Sequence, residues 1–152
     1  MVVAESVPFK PVMQKLADVT GINRNYIQDY LMYMERAGMI AQLRDAVGGI
    51  RGLGKIEKVY LDNTNLIYVL APKRADIGNI RETFFMNQMR VIGDVMCSPV
   101  SDFLVDDMTF EIGGRKKGQK QISEVSNRYV VKDDIETGYA NVLPLWAFGL
   151  LY

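Results

Sequence analysis

Asp102-Phe103-Leu104-Val105-Asp106-Asp107-Met108-Thr109-Phe110-Glu111-Ile112 is the stretch on which the reading of this chain turns. Two strand-like runs, Asp102–Val105 and Met108–Ile112, flank a pair of aspartates. Aspartate tolerates positive φ, so Asp106-Asp107 can form the centre of a two-residue hairpin. The register then follows. Val105 pairs with Met108, Leu104 with Thr109, Phe103 with Phe110, and Asp102 lands opposite Glu111. Directly opposed side chains have Cβ atoms about 5 Å apart. Two carboxylates that close repel unless a cation sits between them or one keeps a proton. Mg²⁺ and Mn²⁺ accept such oxygen ligands and need no histidine. Asp102 and Glu111 are therefore candidate metal ligands, while Phe103 and Phe110 meet on the other face and pack the core. A different register would leave both acids simply solvated.

The surrounding sequence frames this hairpin. Residues Ile80 to Ile92 read as a helix with Ile80, Phe84, Phe85, Met89 and Ile92 facing inward and Glu82 in its first turns. After Glu111 the chain runs Ile112-Gly113-Gly114-Arg115-Lys116-Lys117-Gly118-Gln119-Lys120-Gln121. Paired glycines end the strand and a basic cluster opens the next segment. That cluster either holds phosphates beside a metal or forms a solvated helix start. Arg128-Tyr129-Val130-Val131 reads as another strand. Pro144 to Tyr152 reads as a short terminal helix, apolar on nearly every side, and so buried in the domain or in an interface.

The first half has a different grammar. Pro11 suits a first helical position, Val12, Leu16 and Val19 recur at helical spacing, and Gly21 stops the run. Asn23 caps a second helix whose apolar stripe is Ile27, Leu31 and Met34, widened on one side by Tyr26, Tyr30 and Tyr33. Gly38 is its C′ residue. Met39–Leu43 then reads as a strand, Gly48, Gly49, Gly52 and Gly54 as a loop, and Lys58–Leu61 as a returning strand. Helix, short turn, helix, strand, loop, strand is the order of a winged helix-turn-helix. Its second helix turns Arg24, Asn25 and Gln28 outward, all base-reading types, and the wing adds a modest basic set, Arg44, Arg51, Lys55 and Lys58. Of these, Arg24, Asn25, Gln28, Arg51 and Lys55 are the candidate nucleic-acid contacts. Asp29 and Glu35 on the same face oppose phosphate, and such modules also dock proteins.

Composition narrows the chemistry. There are 18 Lys+Arg, 18 Asp+Glu, no histidine and the single Cys97. Histidine-based triads, Cys-His pairs and HExxH zinc sites are excluded, as is a disulfide within the chain. Residues 1–74 hold ten basic and seven acidic side chains, a balance of +3. Residues 75–152 hold eight and eleven, a balance of −3. A boundary near Pro72-Lys73-Arg74 divides a domain of residues 1–74 from one of residues 75–152. The longest uncharged stretch, Thr137 to Tyr152, has 16 residues and contains Pro144. A bilayer span needs about 20 apolar residues, so no membrane segment is expected. Met1–Phe9 lacks the pattern of a secretory signal, and one free cysteine with nine methionines suits a reducing cytoplasm.

Four strings together carry a family resemblance: Tyr60-Leu61-Asp62-Asn63-Thr64-Asn65-Leu66, Arg81-Glu82-Thr83-Phe84-Phe85, Phe110-Glu111-Ile112-Gly113-Gly114 and Pro144-Leu145-Trp146-Ala147-Phe148-Gly149. From about Pro8 to Tyr152 the chain resembles the C-terminal region of bacterial and archaeal AAA-type ATP-binding proteins. In that family a winged helix and a restriction-endonuclease-like domain of unknown function follow the ATPase. The resemblance implies an α+β chain in which the winged helix is followed by an α/β-type, PD-(D/E)XK nuclease-like mixed sheet with flanking helices. It implies an upstream ATPase domain as partner, and with no GKS/T phosphate loop in its sequence this chain by itself is not expected to bind or hydrolyse ATP through one. It also implies that Glu82 is the helical glutamate, Asp102 the strand aspartate and Glu111 the glutamate of Glu-x-Lys.

One departure decides how the resemblance is read. Where the nuclease pattern has lysine, this chain has Gly113, and Arg115, Lys116 or Lys117 must reach back to replace it. The favoured expectation is accordingly a non-catalytic recognition or docking region that contacts DNA or a protein partner. The alternative is a Mg²⁺- or Mn²⁺-dependent nuclease with a degenerate site. Asp102 and Glu111 would hold the metal there, with Glu82, Lys116 and Lys117 in support.

Overall fold

The computed structural model describes residues 4–5, 7–45, 54–118 and 120–151. The tip of the glycine-rich loop, with Arg51, lies outside the described residues. The fold is mixed α+β, a seven-stranded mixed sheet with flanking helices. In chain order the elements are α1 (Met13–Thr20), α2 (Arg24–Arg36), β1 (Ile40–Arg44), β2 (Ile56–Leu61), α3 (Thr64–Leu70), α4 (Ile77–Met89), β3 (Val95–Cys97), β4 (Phe103–Val105), β5 (Met108–Gly113), β6 (Arg128–Lys132) and β7 (Val142–Pro144). Short 3-10 turns occupy Pro72–Arg74, Lys120–Ile122 and Leu145–Leu150. The strand order is β2-β1-β3-β4-β5-β6-β7. Pairing is antiparallel within β1–β2 and through β3–β4–β5, and parallel for β1–β3, β5–β6 and β6–β7.

Local chemistry explains where the helices begin and end. Asn23 accepts from the Asn25 N–H and caps α2, and Gly38, at φ 67°, follows its end. Gly21, at φ 71°, ends α1. Asp76 accepts from the Gly78 and Asn79 N–H groups, so α4 starts three residues before the apolar periodicity implies. It ends at Met89, which leaves Ile92 beyond the helix and exposed. In α1 the inward positions are Leu16 and Ala17, and Val12 and Val19 are exposed to either side of them.

The β1–β2 hairpin has period-two faces, and both are covered. Ile40, Val59 and Leu61 turn to α1, α2 and α3 and share a core with Leu16, Ile27, Leu31 and Ile67. Ala41, Leu43 and Tyr60 turn the other way and join Phe85, Met86 and Met89 of α4, Phe103, Phe110, Val131 and Phe148. One sheet therefore runs across residue 74, and α4 covers strands from both sides of that position. Phe85 is fully buried, with ring centroids 5.0 Å from Phe103, 5.1 Å from Phe110 and 4.9 Å from Phe148.

The terminal segment departs from expectation in shape and in burial. It is a 3-10 helix, in which positions three apart share a side. Leu145 and Phe148 are buried, whereas Trp146 and Leu150 are exposed. The segment from Gly114 to Asn127 connects the parallel neighbours β5 and β6, and such a connection must cross one face of the sheet. Ile122 in this crossover packs on Val130 and Val142, on the face opposite Phe110. Glu111 alternates with Phe110 and Ile112 and so points toward the crossover.

Candidate active site

The site begins at the hairpin. Asp106 takes φ 54° at its turn, and Val105 pairs with Met108, Leu104 with Thr109 and Phe103 with Phe110. Asp102 therefore stands just beyond the last β4 pair, beside Glu111. Its Oδ2 accepts from the Ile112 N–H at 2.8 Å, so the carboxylate continues the strand pairing where the β4 backbone leaves it. The Asp102 carboxyl is raised to about 6: burial is the main cause, the Ile112 bond works against it, the charges of Glu82 and Glu111 add to the rise, and Lys58 opposes them.

Glu111 is 1% exposed. Its Oε1 pairs with Lys117 Nζ, and its Oε2 lies 2.5 Å from Ser101 Oγ. The same hydroxyl stands 2.8 Å from the Phe110 carbonyl oxygen, so its one proton serves either acceptor. Burial works to lower the Lys117 ammonium, but the bond and charge of Glu111 outweigh it, and the net shift is upward. The charges of Asp102 and Glu82 add to that rise at longer range.

Lys117 reaches Glu111 for a local reason. Its N–H donates to the Gly114 carbonyl at 2.9 Å, a tight turn that folds the chain back over the end of β5. There its side chain fills the place beside Gly113. A Cβ added at Gly113 would stand 2.7 Å from Lys117 Cβ, Cγ and Cδ. Arg115 and Lys116, the other candidates for this reach, are exposed.

Glu82 joins from α4. Its Oε2 accepts from Lys58 Nζ at 3.0 Å and from Tyr60 OH at 2.8 Å, both on β2. Tyr60 is fully buried, and burial first, then the charge of Glu82, pushes its phenol well above the ordinary value. Tyr60 and Ser101 were not legible as site residues, and Lys58 was legible only as a basic residue of the wing, not as a partner of Glu82. The i, i+2 spacing of Lys58 and Tyr60 marks one face of a strand, but only the tertiary fold sets that face against α4.

The candidate nucleic-acid residues lie apart from this cluster in the chain's layering. Arg24, Asn25 and Gln28 are exposed on α2, as are Tyr26, Tyr30 and Tyr33. The tyrosines thus flank the Ile27–Leu31 stripe on its solvent side and do not extend the core. Lys55 precedes β2, with its ammonium 3.7 Å from Glu57 Oε1. Arg51 falls outside the described residues.

Among the described residues no three His, Cys, Asp or Glu side chains converge as a metal-holding group. The donor set open to Mg²⁺ or Mn²⁺ is the pair Asp102 and Glu111. It fits a hard cation in donor chemistry, because both groups are carboxylates, and the Asp102 anion is disfavoured chiefly by burial, a cost that a bound cation would offset. Mg²⁺ commonly uses one or two carboxylates and keeps water on its remaining positions.

Comparison with family models, with curated proteins and with solved structures gives no match for this chain. Among the described residues no helix is long and apolar enough to cross a membrane.

Proposed function

We propose that this chain carries a divalent-cation-dependent phosphodiester hydrolase site of the PD-(D/E)XK nuclease-like kind, in the C-terminal region of an AAA-type ATP-binding protein. The observation that carries the reading is the placement of Lys117. Gly113 stands where the nuclease pattern has its lysine. Lys117 occupies the space beside Gly113 and pairs with Glu111, as a lysine two residues after that glutamate would.

The chemistry is hydrolysis. A water oxygen bonds to phosphorus, one P–O ester bond breaks, and the departing oxygen takes a proton. A bound Mg²⁺ or Mn²⁺ would lower the pKa of the attacking water and offset charge on the phosphoryl oxygens. Asp102 and Glu111 are the residues that would hold it. Lys117 presents a cation to the developing phosphoryl charge from a partly buried position, where such a contact is stronger than in open water. Glu82, fixed by Lys58 and Tyr60, adds a third carboxylate on the α4 side.

Titration with Mn²⁺ followed by a cleavage assay tests this directly. Mn²⁺ is expected to raise the melting temperature and to support nicking of DNA, and Asp102→Ala should abolish both. If Mn²⁺ neither binds nor stabilises the fold, the hydrolase reading is wrong. Cleavage that survives Asp102→Ala would place the chemistry elsewhere.

A second reading has its own observation. Arg24, Asn25 and Gln28 stand exposed on α2 beside Tyr26, Tyr30 and Tyr33, and this favours a recognition role for a winged helix-turn-helix in residues 1–74. Its partner would be DNA or a protein, and a reducing cytoplasm suits its chemistry. The two readings are compatible, since a recognition face and a hydrolytic site serve one substrate.

A further inference from the structure

The carboxylate cluster has a contributor from before residue 74. On β2, Lys58 and Tyr60 point away from α1–α3 and toward α4, by the two-residue period of the strand. Tyr60 is fully buried and its ring lies 5.9 Å from that of Phe103, the residue after Asp102. Lys58 differs from Tyr60 in reaching the surface: its side chain is 34% exposed, against 21% for its partner Glu82. An ammonium has three N–H donors. Glu82 engages one, which roots Lys58 without consuming its capacity to bind an anion.

Charge balance gives this arrangement its meaning. Glu82, Asp102 and Glu111 carry three negative charges when ionised, and Lys58 and Lys117 carry two positive ones. Their sum is −1, which repels a phosphodiester. Two charges from a divalent cation change the sum to +1. Without Lys58 the loaded cluster would be neutral. Both lysine side chains are 34% exposed, but Lys117 is paired with Glu111, which is 1% exposed, whereas the partner of Lys58, Glu82, is itself 21% exposed and leaves that pair open to solvent.

We propose that Lys58 is a phosphate-contacting residue of the site, binding a backbone phosphate of a nucleic acid from the β2 side while Tyr60 and Glu82 hold it in position. This deepens the hydrolase reading and rests on it. The substrate site is thereby built by both halves of the chain, and the β1–β2 hairpin serves the chemistry as well as the fold.

The test uses the full chain and a short fluorescein-labelled DNA duplex, with Ca²⁺ as the cation and anisotropy as the readout. Lys58→Met is expected to weaken binding about tenfold and to reduce the salt slope by about one, and Lys58→Arg to keep both near wild type. A separate Mn²⁺ titration of the wild-type chain, without DNA and read by melting temperature, should show a concentration-dependent rise. Wild-type affinity and slope in Lys58→Met would overturn the role of Lys58 alone. Failure of the wild-type chain to bind Mn²⁺ would overturn the hydrolase reading beneath it. Failure of the cation-loaded wild type to bind the duplex would overturn both.

Discussion

Lys117 stands where a side chain at Gly113 would begin, and its ammonium is held by Glu111. The two positions are therefore mutually exclusive hosts for one lysine. Either the strand residue carries it, or the strand residue is glycine and the crossover carries it. Gly113 does not have a positive φ, so its identity answers the presence of Lys117 and not a backbone demand.

A relocation experiment follows. Lys117→Ala should lower cleavage by about 10²-fold or more and should destabilise the fold by about 3 kcal/mol, because it leaves buried Glu111 without its cation. Gly113→Lys in the wild-type background should also destabilise, since the new side chain meets Lys117 at once. The double variant Gly113→Lys/Lys117→Ala should recover stability and part of the activity. Additive losses in the double variant, measured by urea unfolding, would show that the two positions do not share a role.

Asp102 makes stability depend on pH. Its carboxyl is raised from 3.8 to about 6 by burial. The folded state thus binds more protons than the unfolded state between those values, and stability falls as pH rises through that window. Above about pH 6 the full penalty applies, of the order of 2–3 kcal/mol for a shift of this size. Asp102→Asn keeps an acceptor for the Ile112 N–H and removes the ionisation. It should stabilise the protein at pH 8 and have little effect at pH 4, measured by denaturant unfolding. An equal effect at both values would exclude Asp102 as the source.

The same proton competes with a cation. Mn²⁺ affinity should drop as pH falls through about 6, where Asp102 becomes protonated. Isothermal titration at pH 5.5 and 7.5 reads this directly, as would proton release on binding in two buffers. A pH-independent affinity would mean that Asp102 is not a ligand.

Phe85 joins the helix, the sheet and the C-terminal segment through its contacts with Phe103, Phe110 and Phe148. Phe85→Ala should cost about 3–5 kcal/mol. Because α4 also carries Glu82, the variant should lose Mn²⁺-dependent activity at temperatures where wild type is still folded. Near-wild-type melting would show that α4 is not the keystone its packing indicates.

The α2 face makes a separate prediction. Arg24→Ala and Lys55→Ala should each weaken duplex binding and lower its salt slope by about one, with no change in Mn²⁺ affinity. Absence of any effect at low salt would leave α2 as a protein-docking face.

Several parts of this picture were legible in advance, and each rests on local rules. The hairpin register from Val105–Met108 to Phe103–Phe110 followed from a two-residue turn and the period of a strand. The stops at Gly21 and Gly38 followed from glycine's access to positive φ. Three elements escaped. The helix α3 is only seven residues long and its cap, Asn63, lies inside a polar run that reads as a loop. The strands β3 and β7 have three residues each, too short to show a period.

By itself the sequence determined which chemistry is available: carboxylates and lysines, no histidine, one thiol, and a turn that sets Asp102 beside Glu111. Those outcomes depend on residue type and on spacings of a few positions. Only the tertiary structure decided which lysines serve the carboxylates. Lys117 arrives because a parallel β5–β6 pair forces a crossover above Glu111, and Lys58 arrives because α4 sets Glu82 against β2, 24 positions away in the chain. Contacts of that range are fixed by how apolar faces stack, and no local pattern encodes which polar side chains the stacking brings together.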